Sequence, residues 1–239
     1  METLKIFEIH HYSNRLFSFK TSRPKSFKFK NGEFAMLGIE HDMNSIYRAY
    51  SMVSTNFDDH LEFLSIKAEN GEFTSALKNF KPGDTLIIKP KTTGSLVVDY
   101  LYPKENLILL CTGTGIAPFM SVVFDPLTYE RFKNVYLFHT VRSKKELCYK
   151  NRLDALSQNM PLKYVDSVSQ EKYIRRGRFW NFLNDYFPND LNPKNDAIMI
   201  CGSPELNKKC RTKFHNEGWH EGNTGDMGDF LLERAFVDK

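Results

Sequence analysis

Over the first 90 residues, apolar and polar positions alternate in short runs. Segments 4–10, 16–20, 33–39, 46–53, 61–67 and 85–89 are rich in β-branched and aromatic residues, and Asn31-Gly32, Asn70-Gly71 and Pro82-Gly83 punctuate them. A period of two marks strands with one buried face, and paired turn residues mark where the chain reverses. The pattern predicts about six antiparallel strands, the make-up of a small barrel or sandwich, with one short helix over 73–80.

Beyond Tyr102-Pro103 the pattern changes. Apolar runs become continuous at 107–110, 135–141, 162–165 and 197–200, and each is followed by a helix-length segment: 117–124, 144–156, 179–186 and 204–216. Unbroken apolar strands are buried on both faces, and their alternation with helices is the mark of βαβ units around a parallel sheet. A last apolar strand spans 230–237. The expected fold is therefore two-domain: an antiparallel β-barrel over 1–100, then an α/β parallel-sheet domain over 101–239.

Composition narrows the picture modestly. At 239 residues the chain can give each domain its own core, and 41% hydrophobic with 26% charged residues is ordinary for a soluble protein. A net charge of +4 falls short of the clustered basic footprint of a dedicated nucleic-acid binder, so a nucleic-acid-binding barrel is the weaker rival and no nucleic-acid partner is expected. Cys111, Cys148, Cys201 and Cys210 are far apart in sequence, which suggests reduced cytoplasmic thiols and no metal site. The opening Met1-Glu-Thr-Leu-Lys-Ile6 is unlike a signal-peptide core, and no apolar run reaches membrane-spanning length. The expectation is a cytoplasmic monomer with no membrane contact.

Three stretches carry chemistry. In Leu107-Ile-Leu-Leu-Cys-Thr-Gly-Thr-Gly-Ile-Ala-Pro118 an apolar strand gives way to small residues and then to a helix start, where free backbone N–H groups and the positive helix end suit a phosphate. The third glycine of the dinucleotide fingerprint is missing, and Pro118 lies where it would fall. A matching turn, Ile198-Met-Ile-Cys-Gly-Ser-Pro-Glu205, would face the same crevice at the strands' carboxyl ends. Arg142-Ser-Lys-Lys145 and Arg175-Arg-Gly-Arg178 supply cations that suit a 2′-phosphate, favouring NADP over NAD. In the β half, Arg48-Ala-Tyr-Ser51 combines a cation, an aromatic and a hydroxyl; alternation would send Arg48 and Tyr50 to one face and Ser51 to the other unless the strand bends.

Taken in order, these motifs resemble the ferredoxin–NADP reductase family, above all its bacterial branch. Gly71-Glu-Phe-Thr-Ser75, Cys201-Gly-Ser-Pro204 and the ending Glu233-Arg-Ala-Phe-Val-Asp-Lys239 fit as well. The resemblance implies an FAD-binding barrel joined to an NADP-binding domain, with a flavoenzyme passing hydride from NADPH to FAD and single electrons to ferredoxin or flavodoxin, or the reverse. Reduction of free flavin or ferric chelates on the same fold is the alternative activity. By the resemblance, Arg48 would hold the FAD pyrophosphate, Ala49 and Tyr50 would lie at the isoalloxazine ring, and Ser51 would hydrogen-bond near N5, the atom that receives hydride. Ile66, Lys67, Gly71, Thr74 and Ser75 would complete the FAD side. Thr112, Gly113, Thr114, Gly115 and Gly202 would line the nicotinamide channel, with Cys201 approaching the ring. Arg142 and Arg178 match 2′-phosphate positions, while Gln170 stands where close relatives carry another arginine; Arg175 or Arg176 would have to compensate. Ala235 and Phe236 would lie against FAD, and the tail, ending in Lys239, would reach the adenine. Ser51, Cys201 and Phe236 are the candidate catalytic residues. An acidic carrier would find Arg23, Lys25, Lys28 and Lys30 as docking contacts.

Overall fold

The computed structural model describes residues 1–41, 44–67 and 71–235. The chain folds into two sheets in series. Strands β1 (Glu2–His11), β2 (Leu16–Ser22), β3 (Phe34–His41), β4 (Asn44–Ser51), β5 (His60–Ile66) and β6 (Thr85–Ile88) form a six-stranded sheet in the order β4-β3-β6-β1-β2-β5. Every pairing in it is antiparallel. The two end strands then meet: Met52 bridges Phe63, and the Val53 N–H donates to the Glu62 carbonyl at 2.8 Å, curling the sheet into a barrel. Alternate residues of each strand fill it, among them Leu4, Ile6, Phe17, Phe19, Leu37 and Phe63, as the period of two requires. Helix α1 (Glu72–Leu77) is shorter than its predicted range and plugs the barrel with Phe73 and Leu77.

The second half winds β7 (Asn106–Thr112), α2 (Ile116–Val123), α3 (Pro126–Arg131), β8 (Asn134–Val141), α4 (Lys150–Ser157), β9 (Leu162–Val168), α5 (Trp180–Leu183), β10 (Asp196–Gly202), α6 (Pro204–Asn216) and β11 (Phe230–Arg234) into a parallel sheet ordered β11-β10-β7-β8-β9. Leu107, Leu109, Cys111, Leu137, Met199 and Cys201 pack on one face, and Ile108, Leu110, Phe138, Ile198 and Ile200 on the other. That two-sided burial is why these strands read as continuous apolar runs. The strand order reverses between β7 and β10, which places the open crevice of an α/β sheet at the ends of these two strands.

Two local expectations change. The helix predicted over 144–156 is broken into a 3-10 turn at Lys144–Glu146 and α4, because Ser143 and Glu146 form a reciprocal cap and Tyr149 adopts a left-handed φ of 62°. Helix α3, not anticipated, starts where Asp125 accepts from the Leu127 N–H beside Pro126.

The halves are joined by buried polar contacts as well as by Leu16, Val53 and Leu64, which leave the barrel core to pack on the α/β side. Asn31 donates to Asp125 Oδ2 at 2.7 Å and the Gly32 N–H to Ser121 Oγ at 2.9 Å. Glu62, buried on β5, accepts from Tyr149 Oη at 2.9 Å and Arg152 at 3.2 Å. A buried carboxylate costs far less when paired in this way.

Candidate active site

The crevice is built from two glycine turns pressed together. After β7, Gly113–Gly115 forms a 3-10 turn leading into α2, whose first turn receives no side-chain cap. Gly113 adopts a φ of 55°, a conformation in which a side chain is strained. Gly115 is required for a different reason: a Cβ there would lie 2.1 Å from the Cys201 carbonyl. At Gly202 a Cβ would meet Leu206 and Thr112 side-chain atoms at 2.6 Å, so the second turn is equally tight. After β10, Ser203 caps α6 by accepting from the Leu206 N–H at 3.2 Å.

His139, fully buried on the neighbouring β8, holds the first turn from below. Its Nε2 lies 3.0 Å from the Gly113 carbonyl, which can only accept, so that nitrogen carries the proton; Nδ1 faces Tyr164 Oη at 3.4 Å. Burial lowers its pKa to about 4 against the pull of Gly113 and Asp166, so the ring is neutral at physiological pH.

Two cavities open on this crevice. The smaller, about 210 Å³, lies between the barrel and the turns and is mostly apolar: Phe34, Leu64, Ala117 and Pro118 supply walls, while Ser51, Ser65, Thr74 and Glu233 supply polar atoms. Tyr50 forms part of it, with its Oη and Ser65 Oγ sharing a hydrogen bond at 2.8 Å and its ring tilted on Phe73 at 5.6 Å. Ala49, Tyr50 and Ser51 all line this cavity although they are consecutive. β4 is an end strand of its sheet and turns in at Met52 to close the barrel, so both its faces reach the space that simple alternation would divide. A flat, largely apolar ring bearing a few polar edge atoms fits this lining, and an isoalloxazine has that character.

The larger cavity, about 430 Å³, carries the charge. Thr112, Gly113, Thr140, Arg142, Gln170 and Arg178 line it from the α/β side, and Arg15, Leu16 and Ile66 from the barrel. Ile66, Thr114 and Ala235 border both cavities, so the two spaces meet there. Phosphate-gripping cations with backbone N–H groups at a helix start suit a dinucleotide.

The sequence-predicted residues thus divide. Ala49, Tyr50, Ser51, Ile66, Thr74, Thr114, Cys201 and Ala235 come together at the smaller cavity, and Thr112, Gly113, Arg142 and Arg178 at the larger, with Gly115 and Gly202 packed behind the turns. Arg48 donates to the neighbouring Tyr47 carbonyl at 2.9 Å and lines neither cavity, nor do Lys67, Gly71 and Ser75. Phe236 and Lys239 lie outside the described residues. Cys201 is 2% exposed, and burial pushes its thiol well up, so it enters as a neutral, soft wall rather than a thiolate.

Two expectations are corrected. Arg175 does not replace the cation missing at Gln170: its guanidinium is bound to the buried Asp166, which also receives Tyr173 Oη and, at 3.0 Å, Lys150. Burial pushes Asp166 up, but these donors outweigh it and hold its pKa below the ordinary value. Arg176 is exposed and does not line the cavity. Arg23 is likewise a strut rather than a docking contact, its guanidinium spanning the Asn56, Asp58 and Phe27 carbonyls and lying 4.9 Å over Phe29. Lys30 pairs with Asp99 at 2.9 Å on the surface.

Glu233 was legible only as part of the terminal motif. In the fold it lines the smaller cavity and accepts from the Ser95 N–H at 3.0 Å; burial raises its pKa to about 7. Arg15 and His139 belong to no motif, and only the tertiary contacts reveal them.

Residues 4–95 match the oxidoreductase FAD-binding domain and residues 109–212 the oxidoreductase NAD-binding domain. A ferredoxin–NADP reductase of Azotobacter vinelandii is 40% identical, the match covering 98% of this chain and 97% of that protein. A flavodoxin/ferredoxin–NADP reductase of Rhodobacter capsulatus is 37% identical over 96% and 91%. Among solved structures, a ferredoxin NADP+ reductase from Neisseria gonorrhoeae with bound FAD and NADP superposes with a TM-score of 0.90 at 30% identity, covering 98% of each chain.

Proposed function

The chain belongs to the ferredoxin–NADP reductase family, and from that premise we propose how its two cavities divide the reaction. It is an oxidoreductase that joins NADPH to ferredoxin or flavodoxin through FAD. FAD, when bound, supplies what no side chain offers: it takes two electrons together and returns them singly. The protein's own part is placement. Tyr50, Ala49, Thr74 and Ser65 hold the ring in the smaller cavity, and Ser51 offers a hydroxyl at its reacting edge. Arg48, Lys67, Gly71 and Ser75 serve the remainder of that cofactor. The nicotinamide enters at the junction of Ile66, Thr114 and Ala235 over the neutral Cys201 wall, its phosphates pass over the Gly113–Gly115 turn, and Arg142 and Arg178 receive the 2′-phosphate.

The observation that carries it is the shared border. A ring in one cavity and a nicotinamide in the other are held in contact only if the cavities meet, and they meet at Ile66, Thr114 and Ala235. Four free, buried cysteines support the reducing cytoplasm as its compartment. The two sheets support dividing the chain into domains over 1–100 and 101–239. Exposed Lys25 and Lys28 remain the basic contacts offered to an acidic carrier. Anaerobic addition of NADPH to the FAD-loaded protein should bleach the flavin band, and faster than NADH does; a colourless protein that stays so with FAD, or faster bleaching by NADH, overturns the reading.

A further inference from the structure

The larger cavity has one cation that belongs to no motif. Arg15 lies in the β1–β2 connection of the barrel, yet it lines the same space as Thr112, Gly113, Arg142 and Arg178. Its backbone is pinned: the Arg15 carbonyl accepts from the Lys67 N–H at 2.6 Å, and its own N–H donates to Ser13 Oγ at 3.1 Å. Among the described residues neither its guanidinium nor that of Arg142 forms an ion pair, whereas Arg178 faces Glu205 at 3.9 Å.

Location decides what this cation meets. The next residue, Leu16, pairs with Ile66, and Ile66 borders both cavities. Arg15 therefore stands at the flavin end of the larger cavity, on the barrel wall facing the Gly113–Gly115 turn, while Arg142 and Arg178 are carried by the segments after β8 and before α5. A dinucleotide stretched from those two arginines to the junction has its two bridging phosphates between them. The turn donates N–H groups from the α/β side alone, so the opposite phosphate oxygens face the barrel. We propose that Arg15 reaches across from the barrel to bind the pyrophosphate of the nicotinamide dinucleotide, so that both halves of the protein close on it; this rests on the reading of the site given above. Guanidinium suits the task, because its fork matches paired phosphate oxygens.

The pyrophosphate is common to NADPH and NADH, whereas the 2′-phosphate is not, and this separates Arg15 from Arg142 and Arg178. Calorimetric titration of FAD-loaded Arg15→Gln with NADP+, NAD+ and adenosine 2′-monophosphate is the test, with an unchanged flavin spectrum as the check on folding. The Kd for NADP+ and for NAD+ should rise together by about tenfold, while adenosine 2′-monophosphate binds as before. Arg15→Lys should recover part of the loss. Unchanged affinity for both dinucleotides overturns the proposal, as does a loss shared by NADP+ and adenosine 2′-monophosphate but not NAD+. Arg178→Gln decides the underlying reading separately: if adenosine 2′-monophosphate binds it undiminished, the far end is misassigned, and Arg15 still stands or falls on the two dinucleotides.

Discussion

The two cavities share three border residues but are made of opposite materials. The smaller is walled mostly by rings, aliphatic groups and hydroxyls, with Arg234 its only cation; its one carboxyl, Glu233, is pushed by burial to a pKa of about 7. The larger is more polar, lined by three arginines carried on loops. The difference matches two kinds of occupancy. A resident cofactor gains from a preformed, dry slot that need never open, while a substrate that must leave each cycle is better gripped by exposed charges, which attract it over distance and hold it with modest strength. At the border the requirement changes again, because two rings in contact tolerate little displacement.

The sharpest way to break the comparison is therefore at the border. Gly115→Ala places a methyl against the Cys201 carbonyl with only 2.1 Å available, so β10 and α2 must part. A displacement of that order should lower NADPH-dependent turnover by about 100-fold. Gly113→Ala, with open space but a φ of 55°, should instead cost only about 1–2 kcal/mol of stability. Thermal melts and steady-state rates of the two variants test this; equal effects would mean that the turn is not a tight junction.

The charged cavity is next. Arg142→Gln and Arg178→Gln should each raise the KM for NADPH by about tenfold and leave NADH nearly unchanged. Gln170→Arg sharpens the same point in the other direction, because it adds a cation that the buried Arg175–Asp166 pair does not supply. Its preference for NADPH over NADH should rise by about fivefold, the range of an exposed ion pair. A change in NADH kinetics instead would place these side chains elsewhere on the nucleotide.

The smallest effects concern protons, and they run in opposite directions. Glu233 has an ordinary pKa of 4.5 and a folded one of about 7, so the native state holds more protons in that window and stability falls as pH rises through it. His139 moves from 6.5 to about 4, so its contribution is complete above pH 6.5 and is lost as pH falls toward 4. Melting temperatures of the FAD-free protein, taken as wild type minus variant, should slope downward with pH for Glu233→Gln and upward for His139→Asn, each by about 3 °C, or about 1 kcal/mol for a chain of this size. Slopes of the same sign would refute the assignment of at least one group.

Local signals carried most of the fold and about half of the site. The change from period two to continuous apolar runs separates barrel from parallel sheet because it records burial on one face or two, and that is a property of each strand alone. Helix α6 runs over its predicted 204–216, because Ser203, Pro204 and Glu205 are all start signals. The helix expected over 144–156 failed because Ser143 and Glu146 cap each other locally and because Tyr149, whose hydroxyl is held by Glu62 of the barrel, is left-handed. Likewise, Arg23 and Arg175 look identical in sequence to the arginines that line the cavity, and only their partners distinguish strut from ligand.

By itself, then, the sequence determined most of the strands and helices, where the glycines must stand and which family the motifs resemble, since each depends on neighbours within a few residues. The tertiary structure alone decided that the Cys201 carbonyl makes Gly115 necessary, that His139 supports Gly113, and that Arg15 of the barrel shares a cavity with Arg142 and Arg178. Those relations join residues 26 to more than 160 positions apart, brought together only where the strand order reverses and the barrel closes over it. The opening glycine turn is thus specified locally, but what it can bind is specified by everything that packs around it.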